Sequence, residues 1–102
     1  MFEEQVSKGI EVLNRNRPNW RDKIDIEALD TNDWRDCVLG QVFGSYSDGM
    51  DALLPEFSLT SEHCLSVAYT VFDMRTSFAN DNGFDARENV RELTLEWKRV
   101  LA

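Results

Sequence analysis

The chain has few of the residues from which small proteins build disulfide frameworks or metal sites. Among its 102 residues are two cysteines, Cys37 and Cys64, and one histidine, His63. Two cysteines outside any Cys-x-x-Cys spacing make no framework, so we expect both to be small buried side chains in a reducing cytoplasm, with a single disulfide as the alternative. One histidine is too few for a zinc site built from histidines. The sequence therefore predicts neither a metal nor a cofactor.

No part of the sequence resembles a membrane span or a secretion signal. The longest uncharged stretch, Cys37 to Ser47, is shorter and more polar than the about 20 apolar residues that cross a bilayer. Glu3 and Glu4 occupy positions where a signal peptide carries bases, and no apolar run follows them. We therefore expect a cytoplasmic protein with no membrane partner.

Basic residues are scarce: 11 lysines and arginines stand against 19 aspartates and glutamates, and the formal net charge is -8. A negative field repels the phosphates of nucleic acids and of anionic lipids. Direct binding to nucleic acid or to an anionic membrane surface is therefore disfavoured. The length and a hydrophobic share of 42% are enough for one compact core, which predicts a single domain over residues 1–102.

Catalytic signatures are also missing. The sequence contains no glycine-rich phosphate loop, nucleophile elbow or dinucleotide fingerprint. Cys37, His63 and an aspartate could form a thiol triad, but Asp33 and Asp36 flank Cys37, and nearby anions suppress the reactive thiolate. A loose likeness to a calcium loop fails because Arg35 stands at the required glycine position. We predict that the protein is not an enzyme and keep a small thiol-dependent enzyme as an alternative.

What the sequence does contain is helical periodicity. Residues Phe2 to Arg15 carry an apolar stripe, with acids in the first turn and a base at the end, which predicts an amphipathic helix. Gly9 is unfavourable inside such a helix, so we expect it to mark a close crossing with another backbone. From Trp20 to Leu29 the pattern is ambiguous, and a short helix or turn is predicted there.

The middle of the chain alternates cap-forming residues with short apolar runs. Asn32 or Asp33 precedes a predicted helix from Trp34 to Phe43 and could cap it. Gly44 is expected to end this helix. Ser47 is then placed to cap a second short helix, from Asp48 to Leu54.

The next segment, residues 59–79, fits two structures. An apolar stripe with helical spacing runs through it, while residues 65–72 are rich in β-formers and partly alternate. We favour the helix and keep the strand as the alternative. A turn is predicted at residues 79–83, where Gly83 is best suited to a positive φ.

The most regular pattern is that of residues 85–101. Its apolar residues repeat at helical spacing, and Asp85 with Glu88 forms an acidic variant of the capping box. Together the elements predict an all-α fold, a small single-domain helical bundle of four or five helices of unequal length.

Two sets of residues fit either a structural or an interaction role. Trp20, Trp34 and Trp97 could anchor an interface, but in a chain this small we expect each to lie in the core with its indole N–H donating to a carbonyl. Gly40 and Gly44 have the spacing that lets two helices approach closely, and we expect them to do so.

Charge is distributed unevenly along the chain. No lysine or arginine occurs between Arg35 and Arg75, an interval that combines acidic residues with large apolar ones. One interpretation is that the apolar residues form the core and the acids cover its outer face. The other is an acidic-aromatic surface that docks on a basic patch of another protein. The candidate partner-binding residues on that interpretation are Asp36, Phe43, Tyr46, Asp48, Met50, Asp51, Glu56 and Phe57.

Four separate blocks of the sequence together form one pattern. They are Arg17-Pro18-Asn19-Trp20, Cys37-Val38-Leu39-Gly40-Gln41-Val42-Phe43-Gly44-Ser45-Tyr46, Asn82-Gly83-Phe84-Asp85 and Leu93-Thr94-Leu95-Glu96-Trp97. This pattern, C-x-L-G-Q-x-x-G-x-Y followed by G-F and L-T-x-x-W, resembles a family of small uncharacterised proteins from actinobacteria and their phages, including mycobacteriophages. The resemblance implies a biological setting, and it implies no activity, cofactor or site residue.

These observations favour a non-enzymatic cytosolic protein-interaction module. The resemblance implies a phage accessory protein that binds and modulates a host protein, and the charge pattern implies a basic patch on that partner. The alternative is an acidic DNA mimic that occupies a nucleic-acid-binding host protein. Such a mimic requires acids spaced like phosphates, whereas here Trp34, Phe43 and Phe57 interrupt them.

A homodimer is also predicted. Residues 42–59 hold more large apolar side chains than one short helix can bury on one face, and a two-fold contact would cover the surplus. Two copies of charge -8 repel each other, but physiological salt screens exposed charges beyond about 8–10 Å. We therefore expect the dimer population to rise with salt concentration.

Overall fold

Helices account for the regular structure in the part of the chain that the structure describes. The computed structural model describes residues 2–54, 68–86 and 89–102. No β-strand occurs among these residues, which confirms the all-α prediction, and none of their helices is long and apolar enough to cross a membrane. The α-helices are α1 (Glu3–Asn16), α2 (Val38–Phe43), α3 (Tyr46–Leu53), α4 (Ala68–Asp81) and α5 (Val90–Leu101), and a 3-10 helix spans Trp20–Lys23.

Two tryptophans form the centre of the core. Trp20 and Trp97 are 1% and 0% exposed, and their rings meet edge to face with centroids 6.2 Å apart. Phe84 stacks on Trp97 with the ring planes 13° apart. The indole N–H of Trp20 donates to the Asn14 side-chain oxygen at 2.8 Å, and that of Trp97 donates to the Gly83 carbonyl at 2.6 Å. Both tryptophans are therefore core residues with satisfied N–H groups, as predicted.

The first helix, α1, meets the rest of the fold at Gly9. Its predicted apolar stripe is present, with Val6 and Leu13 fully buried. A Cβ atom at Gly9 would collide with the backbone carbonyl oxygen of Asn82 and would lie 3.1 Å from the Trp97 ring. The close crossing predicted from Gly9 is therefore confirmed.

We expect Gly9→Ala to lower the free energy of unfolding by about 1–3 kcal/mol, the usual cost of an extra methyl group in a filled space. Alanine gains about 1 kcal/mol of helix propensity over glycine, but the obstructing Asn82 oxygen belongs to the backbone and cannot rotate away as a side chain does. Denaturant unfolding followed by circular dichroism measures the change. Ser7→Ala, at an exposed position of the same helix, is the control. Equal stability of the two variants would contradict the close crossing.

The second helix, α2, begins later than predicted. The helix expected from Trp34 starts at Val38, and its N-cap is Cys37, whose Sγ accepts a hydrogen bond from the Gly40 N–H at 3.2 Å. Neither Asn32 nor Asp33 is therefore its cap. Gly44 ends α2 with a φ of 104°, as predicted.

The third helix, α3, begins earlier than predicted. It starts at Tyr46, and its N-cap is Ser45 instead of Ser47. The reason is that Ser45 has the extended backbone of a cap residue, and its hydroxyl accepts a hydrogen bond from the Asp48 N–H at 3.0 Å.

Helices α2 and α3 approach each other at a glycine that the sequence pattern did not single out. A Cβ atom on Gly49 of α3 would lie 2.8 Å from the Leu39 side chain and 3.0 Å from that of Phe43. Gly40 instead makes room for the backbone carbonyl of Arg35. The expectation that Gly40 and Gly44 bring two helices together was therefore wrong.

The segment predicted at residues 59–79 is described only from residue 68 onward. There it is helical, so α4 confirms the helix over residues 68–79 against the strand alternative, while residues 59–67 lie outside the described part of the chain. The helix continues to Asp81, beyond the predicted start of the turn. Gly83 has a φ of 72°, as predicted.

The last helix, α5, is shorter than predicted. It begins at Val90, and Asp85 and Ala86 precede it in non-helical structure. The Asp85 carboxylate accepts a hydrogen bond from the Ala86 N–H at 2.8 Å, while the Asp85 N–H donates to the Ala79 carbonyl at 3.3 Å. Asp85 therefore closes the turn after α4, and the N-cap of α5 is Asn89 instead. Glu88, the other residue of the predicted capping box, lies outside the described residues.

Candidate functional site

Trp34 is the tryptophan that the structure leaves on the surface. It is 56% exposed, so the expectation that it lies in the core was wrong. Among the residues whose side chains the structure describes, Leu95 is the other exposed large hydrophobic residue, at 57%. Burying a tryptophan side chain is strongly favourable, and an exposed one leaves most of this free energy for a partner to gain. Tryptophan is also enriched among the residues that dominate protein interfaces. Trp34 is therefore the starting point of a candidate site.

Trp34 lies in a loop of residues 30–37, which we call the Trp34 loop. The Asp33 carboxylate accepts hydrogen bonds from the N–H groups of Arg35 and Asp36, at 2.8 and 3.1 Å, and so closes a tight turn around Trp34. Aspartate side chains compete with helix formation in this way. The turn is the physical reason why the predicted helix does not begin at Trp34.

The base of the Trp34 loop is closed by Asp30. Its N–H donates to the Asp36 carbonyl at 3.1 Å, and its carboxylate accepts from the Asn32 N–H at 2.9 Å. The Gln41 side chain of α2 donates to the same Asp36 carbonyl at 2.9 Å. Hydrogen bonds therefore define the loop at both ends.

Three further hydrogen bonds attach the Trp34 loop to two helices. The Thr31 hydroxyl donates to the Val90 carbonyl at 2.7 Å, and the Thr31 N–H donates to the Thr94 hydroxyl at 2.9 Å, which ties the loop to α5. The Tyr46 N–H donates to the Trp34 carbonyl at 2.8 Å, which ties it to α3. The backbone that carries Trp34 is therefore held before any partner arrives, and such preorganisation lowers the entropy cost of binding.

A small pocket of 150 Å³ lies beside Trp34, and we call it the Trp34 pocket. It brings together residues from the Trp34 loop, the start of α3 and the turn after α4. Its lining residues are Thr31, Asn32, Trp34, Cys37, Tyr46 and Asp85.

The Trp34 pocket combines aromatic walls with negative charge. Burial, together with the negative charge of Asp85, raises the pKa of Tyr46 to about 12, against a lowering effect of Arg75. The Arg35 guanidinium carbon lies 4.5 Å from the centroid of the Trp34 ring. The indole of Trp34 is therefore already in contact with a cation in the free protein.

The raised pKa of Tyr46 predicts a loss of stability at high pH. The native state keeps the phenol proton above pH 10, where the unfolded chain releases it, so this contribution is complete below about pH 10 and is lost as the pH rises through about 12. Denaturant midpoints measured from about pH 9 to pH 12, for the native protein and for Tyr46→Phe, test this expectation. The midpoint of Tyr46→Phe should fall less steeply with pH. Parallel profiles would contradict the assignment.

Cys37 has a structural role in this site. It is 2% exposed, and its sulfur caps α2. Burial raises the pKa of its thiol, and the negative charge of Asp33 acts in the same direction. The protonated thiol therefore dominates at neutral pH, which is unfavourable for a nucleophile. His63 and Cys64 lie outside the described residues.

The structure places only part of the predicted partner-binding set near Trp34. Tyr46 lines the Trp34 pocket, and the half-buried Asp36 lies in the Trp34 loop. Asp48 is exposed in the first turn of α3. Phe43 is half-buried, and the Arg17 guanidinium carbon lies 5.1 Å from the centroid of its ring.

Two other members of that set are committed to the interior or to an ion pair. Met50 is 0% exposed, so its assignment to a binding surface was wrong: its place on α3 faces the core. Asp51 lies 2.9 Å from the guanidinium of Arg75, whose side chain is 8% exposed. Its charge is therefore partly compensated inside the protein. Glu56 and Phe57 lie outside the described residues.

The apolar surplus on which the homodimer was predicted is mostly absorbed by the fold where it is described. Val42 and Met50 are buried, and Phe43, Leu53 and Leu54 pack against the core. Residues 55–59 lie outside the described part of the chain. The homodimer stays a prediction. Residues 42–54 expose less apolar surface than the sequence led us to expect, so they give it less support.

Asp85 was not predicted as a site residue, because the sequence pattern favours a helix cap for its carboxylate. Trp34 was a possible interface anchor but was expected in the core. The three aspartates and one asparagine clustered in residues 30–36 were the available signal, since such residues form side-chain turns that can leave a neighbouring residue exposed.

No group of three or more histidine, cysteine or acidic side chains is placed to hold a metal ion in the part of the chain that the structure describes. Comparison of the chain with models of known protein families, with curated proteins and with solved structures finds no match in any of the three. Its function is therefore inferred from its own residues.

Proposed function

We propose that this chain is a non-enzymatic protein-interaction module that docks on a basic patch of a partner protein through the surface around Trp34. The observation that carries the proposal is a 56% exposed tryptophan on a loop held by hydrogen bonds. An interface anchor contributes most when it is large and when little freedom is lost on binding. Trp34 meets both conditions.

The charge around Trp34 supports a basic partner. The Trp34 loop contains three aspartates and one arginine, and Asp85 adds a further carboxylate to the pocket. The whole chain carries a net charge of -8. A positive patch on the partner would be attracted over a distance and oriented as it approaches.

A second groove extends the proposed docking surface. It has a volume of 540 Å³, lies between residues 27–32 and α5, and includes the exposed Leu95. Asn32 lines both this groove and the Trp34 pocket, so the two are neighbours on one side of the molecule. An interface with Trp34 at one end and Leu95 at the other would have two apolar anchors.

The resemblance to actinobacterial and phage proteins supports a setting for this interaction. In that setting the chain is a phage accessory protein in the host cytoplasm, and its partner is a host protein that it modulates. The DNA mimic differs in its target, because the partner would then bind nucleic acid through the same basic patch.

Photo-crosslinking from position 34 tests the proposal. Trp34 is replaced by p-benzoylphenylalanine, the protein is irradiated in an actinobacterial lysate, and the crosslinked peptide of the partner is identified by mass spectrometry. The matched control carries the same photo-crosslinker at Ser7, which is exposed on α1. We expect one dominant partner from position 34 and not from position 7, with lysines or arginines around the crosslinked peptide.

The other outcomes separate the alternatives. Crosslinks between two copies of this chain would replace the proposed partner by a homodimer. A crosslink that added DNA abolishes would favour the DNA mimic. The same products from positions 34 and 7, or an acidic partner surface, would contradict the proposal.

A further inference from the structure

We infer that the Trp34 pocket receives one basic side chain, a lysine or an arginine, from the partner protein. This inference rests on the proposed function and adds the chemistry of its central contact. Its grounds are the size of the pocket, its two aromatic walls and its carboxylate.

The size of the pocket limits the ligand to a single side chain. Its 150 Å³ lie well below the about 300–1,000 Å³ of pockets that enclose whole small molecules. The pocket is also built mostly from side chains that the fold holds in place: Cys37 caps α2, Tyr46 opens α3, and Thr31 is bonded to α5. It therefore has a defined shape in the free protein.

The aromatic walls favour a cation. Trp34 and Tyr46 both line the pocket, and the face of an aromatic ring, that of tryptophan most strongly, attracts ammonium and guanidinium groups. Arg35 already lies against the Trp34 ring at 4.5 Å, which is an intramolecular example of the same contact. A cation from a partner would compete with Arg35 for this ring.

The carboxylate of Asp85 selects the sign of the charge. One of its oxygens accepts the Ala86 N–H at 2.8 Å, and a carboxylate has capacity for several donors, so Asp85 can still accept a hydrogen bond from a ligand. An anionic side chain would be repelled by it. A neutral apolar side chain would desolvate it without offering a donor, which is costly. A lysine or arginine satisfies both the rings and the carboxylate.

Small amine probes test the pocket without the unknown partner. The protein is titrated with n-butylammonium chloride, with n-butylguanidinium chloride and with the neutral n-butanol, at constant chloride concentration, and followed by ¹H–¹⁵N correlation spectra. We expect saturable shifts of the Trp34 indole N–H and the Tyr46 amide with the two cations and none with n-butanol.

Variants with opposite expected effects keep the test decisive. Asp85→Asn should weaken butylammonium binding at least about threefold, and Arg35→Gln, which removes the competing cation, should strengthen it about two- to fivefold. Asp81→Asn is the matched control, because it makes the same charge change at an exposed residue that lines a neighbouring groove and not the Trp34 pocket. It should leave the affinity unchanged, and each variant's spectrum shows whether it is folded.

The failures of the two proposals are distinguishable. If n-butanol shifts the same signals as the cations, or if Arg35→Gln has no effect, or if Asp81→Asn weakens binding as much as Asp85→Asn, the basic-side-chain pocket is overturned. A specific crosslink from position 34 would then still support docking around Trp34. If butylammonium binds the pocket but position 34 gives no specific crosslink, the binding supports the pocket and the missing crosslink contradicts the proposed function.

Discussion

Replacing Trp97 with alanine is expected to lower the free energy of unfolding by about 3–5 kcal/mol, the range for removing a large aromatic side chain from a filled core. Trp97 is 0% exposed, meets Trp20 edge to face and stacks on Phe84. Its ring also fills the space beside Gly9, where α1 crosses. One substitution therefore opens a cavity shared by α1, α5 and the turn after α4.

A hydrogen bond adds to this loss. The Trp97 indole N–H donates to the Gly83 carbonyl at 2.6 Å, and truncation leaves that carbonyl without this donor. Trp97→Phe keeps an aromatic ring and removes the N–H, so it should cost less than Trp97→Ala. Because both variants lack the N–H, the difference between them measures the contribution of the ring that phenylalanine retains.

Urea unfolding at 25 °C, followed by circular dichroism, measures both variants. Leu95→Ala is the control on the same helix, and because Leu95 is 57% exposed its stability should stay within about 0.5 kcal/mol of the native protein. A domain of ordinary stability has about 5–15 kcal/mol in total, so Trp97→Ala would show a much lower midpoint. A loss no larger than that of Leu95→Ala would contradict the central position of Trp97.

The parts of the fold that were predicted correctly depend on local patterns. The apolar stripe of α1 and the position of Trp97 in α5 follow from a helical repeat of apolar residues, which needs no knowledge of distant contacts. The roles of Gly9 and Gly83 were also predictable. A glycine is unfavourable inside a helix, so Gly9 indicated a close backbone crossing, and a glycine in a turn readily adopts a positive φ, as Gly83 does.

The candidate site was less predictable because distant residues build it. Thr31 bonds to Thr94 across 63 positions of sequence, and this contact fixes the loop that carries Trp34. Within the loop, the Asp33 carboxylate forms a turn where a helix was expected. A cap and a side-chain turn use the same residue types, so composition alone does not decide between them.

The charge pattern also changes when the chain folds. The interval without bases looked purely acidic along the sequence, but Arg75 pairs with Asp51 across 24 positions, and Arg17 lies over the Phe43 ring. Among the residues of this interval whose side chains the structure describes, the acids that stay available are those near Trp34 and the exposed Asp48. Of the surface predicted between Asp36 and Phe57, the described part nearest Trp34 is Asp36 and Tyr46, and we therefore centre the proposed surface on the Trp34 loop.

Replacing Trp34 with alanine should weaken partner binding and leave stability almost unchanged, whereas Trp97→Ala should mainly lower stability. Its side chain is mostly exposed, and the hydrogen bond that the Trp34 carbonyl accepts from Tyr46 is a backbone contact that alanine retains. We therefore expect the free energy of unfolding to change by less than about 0.5 kcal/mol. We expect the affinity for the crosslinked partner to fall by about 2 kcal/mol or more, which is roughly 30-fold in Kd.

Isothermal titration calorimetry with that partner measures the loss, and urea unfolding checks that the fold is intact. Trp34→Phe keeps a smaller aromatic face and should bind with intermediate affinity, because a contact with a cation weakens from tryptophan to phenylalanine. An affinity of Trp34→Ala within about threefold of the native value would place the binding energy elsewhere. A loss of affinity that came with a lowered urea midpoint would instead make Trp34 a structural residue, so the two measurements together decide what the exposed tryptophan does.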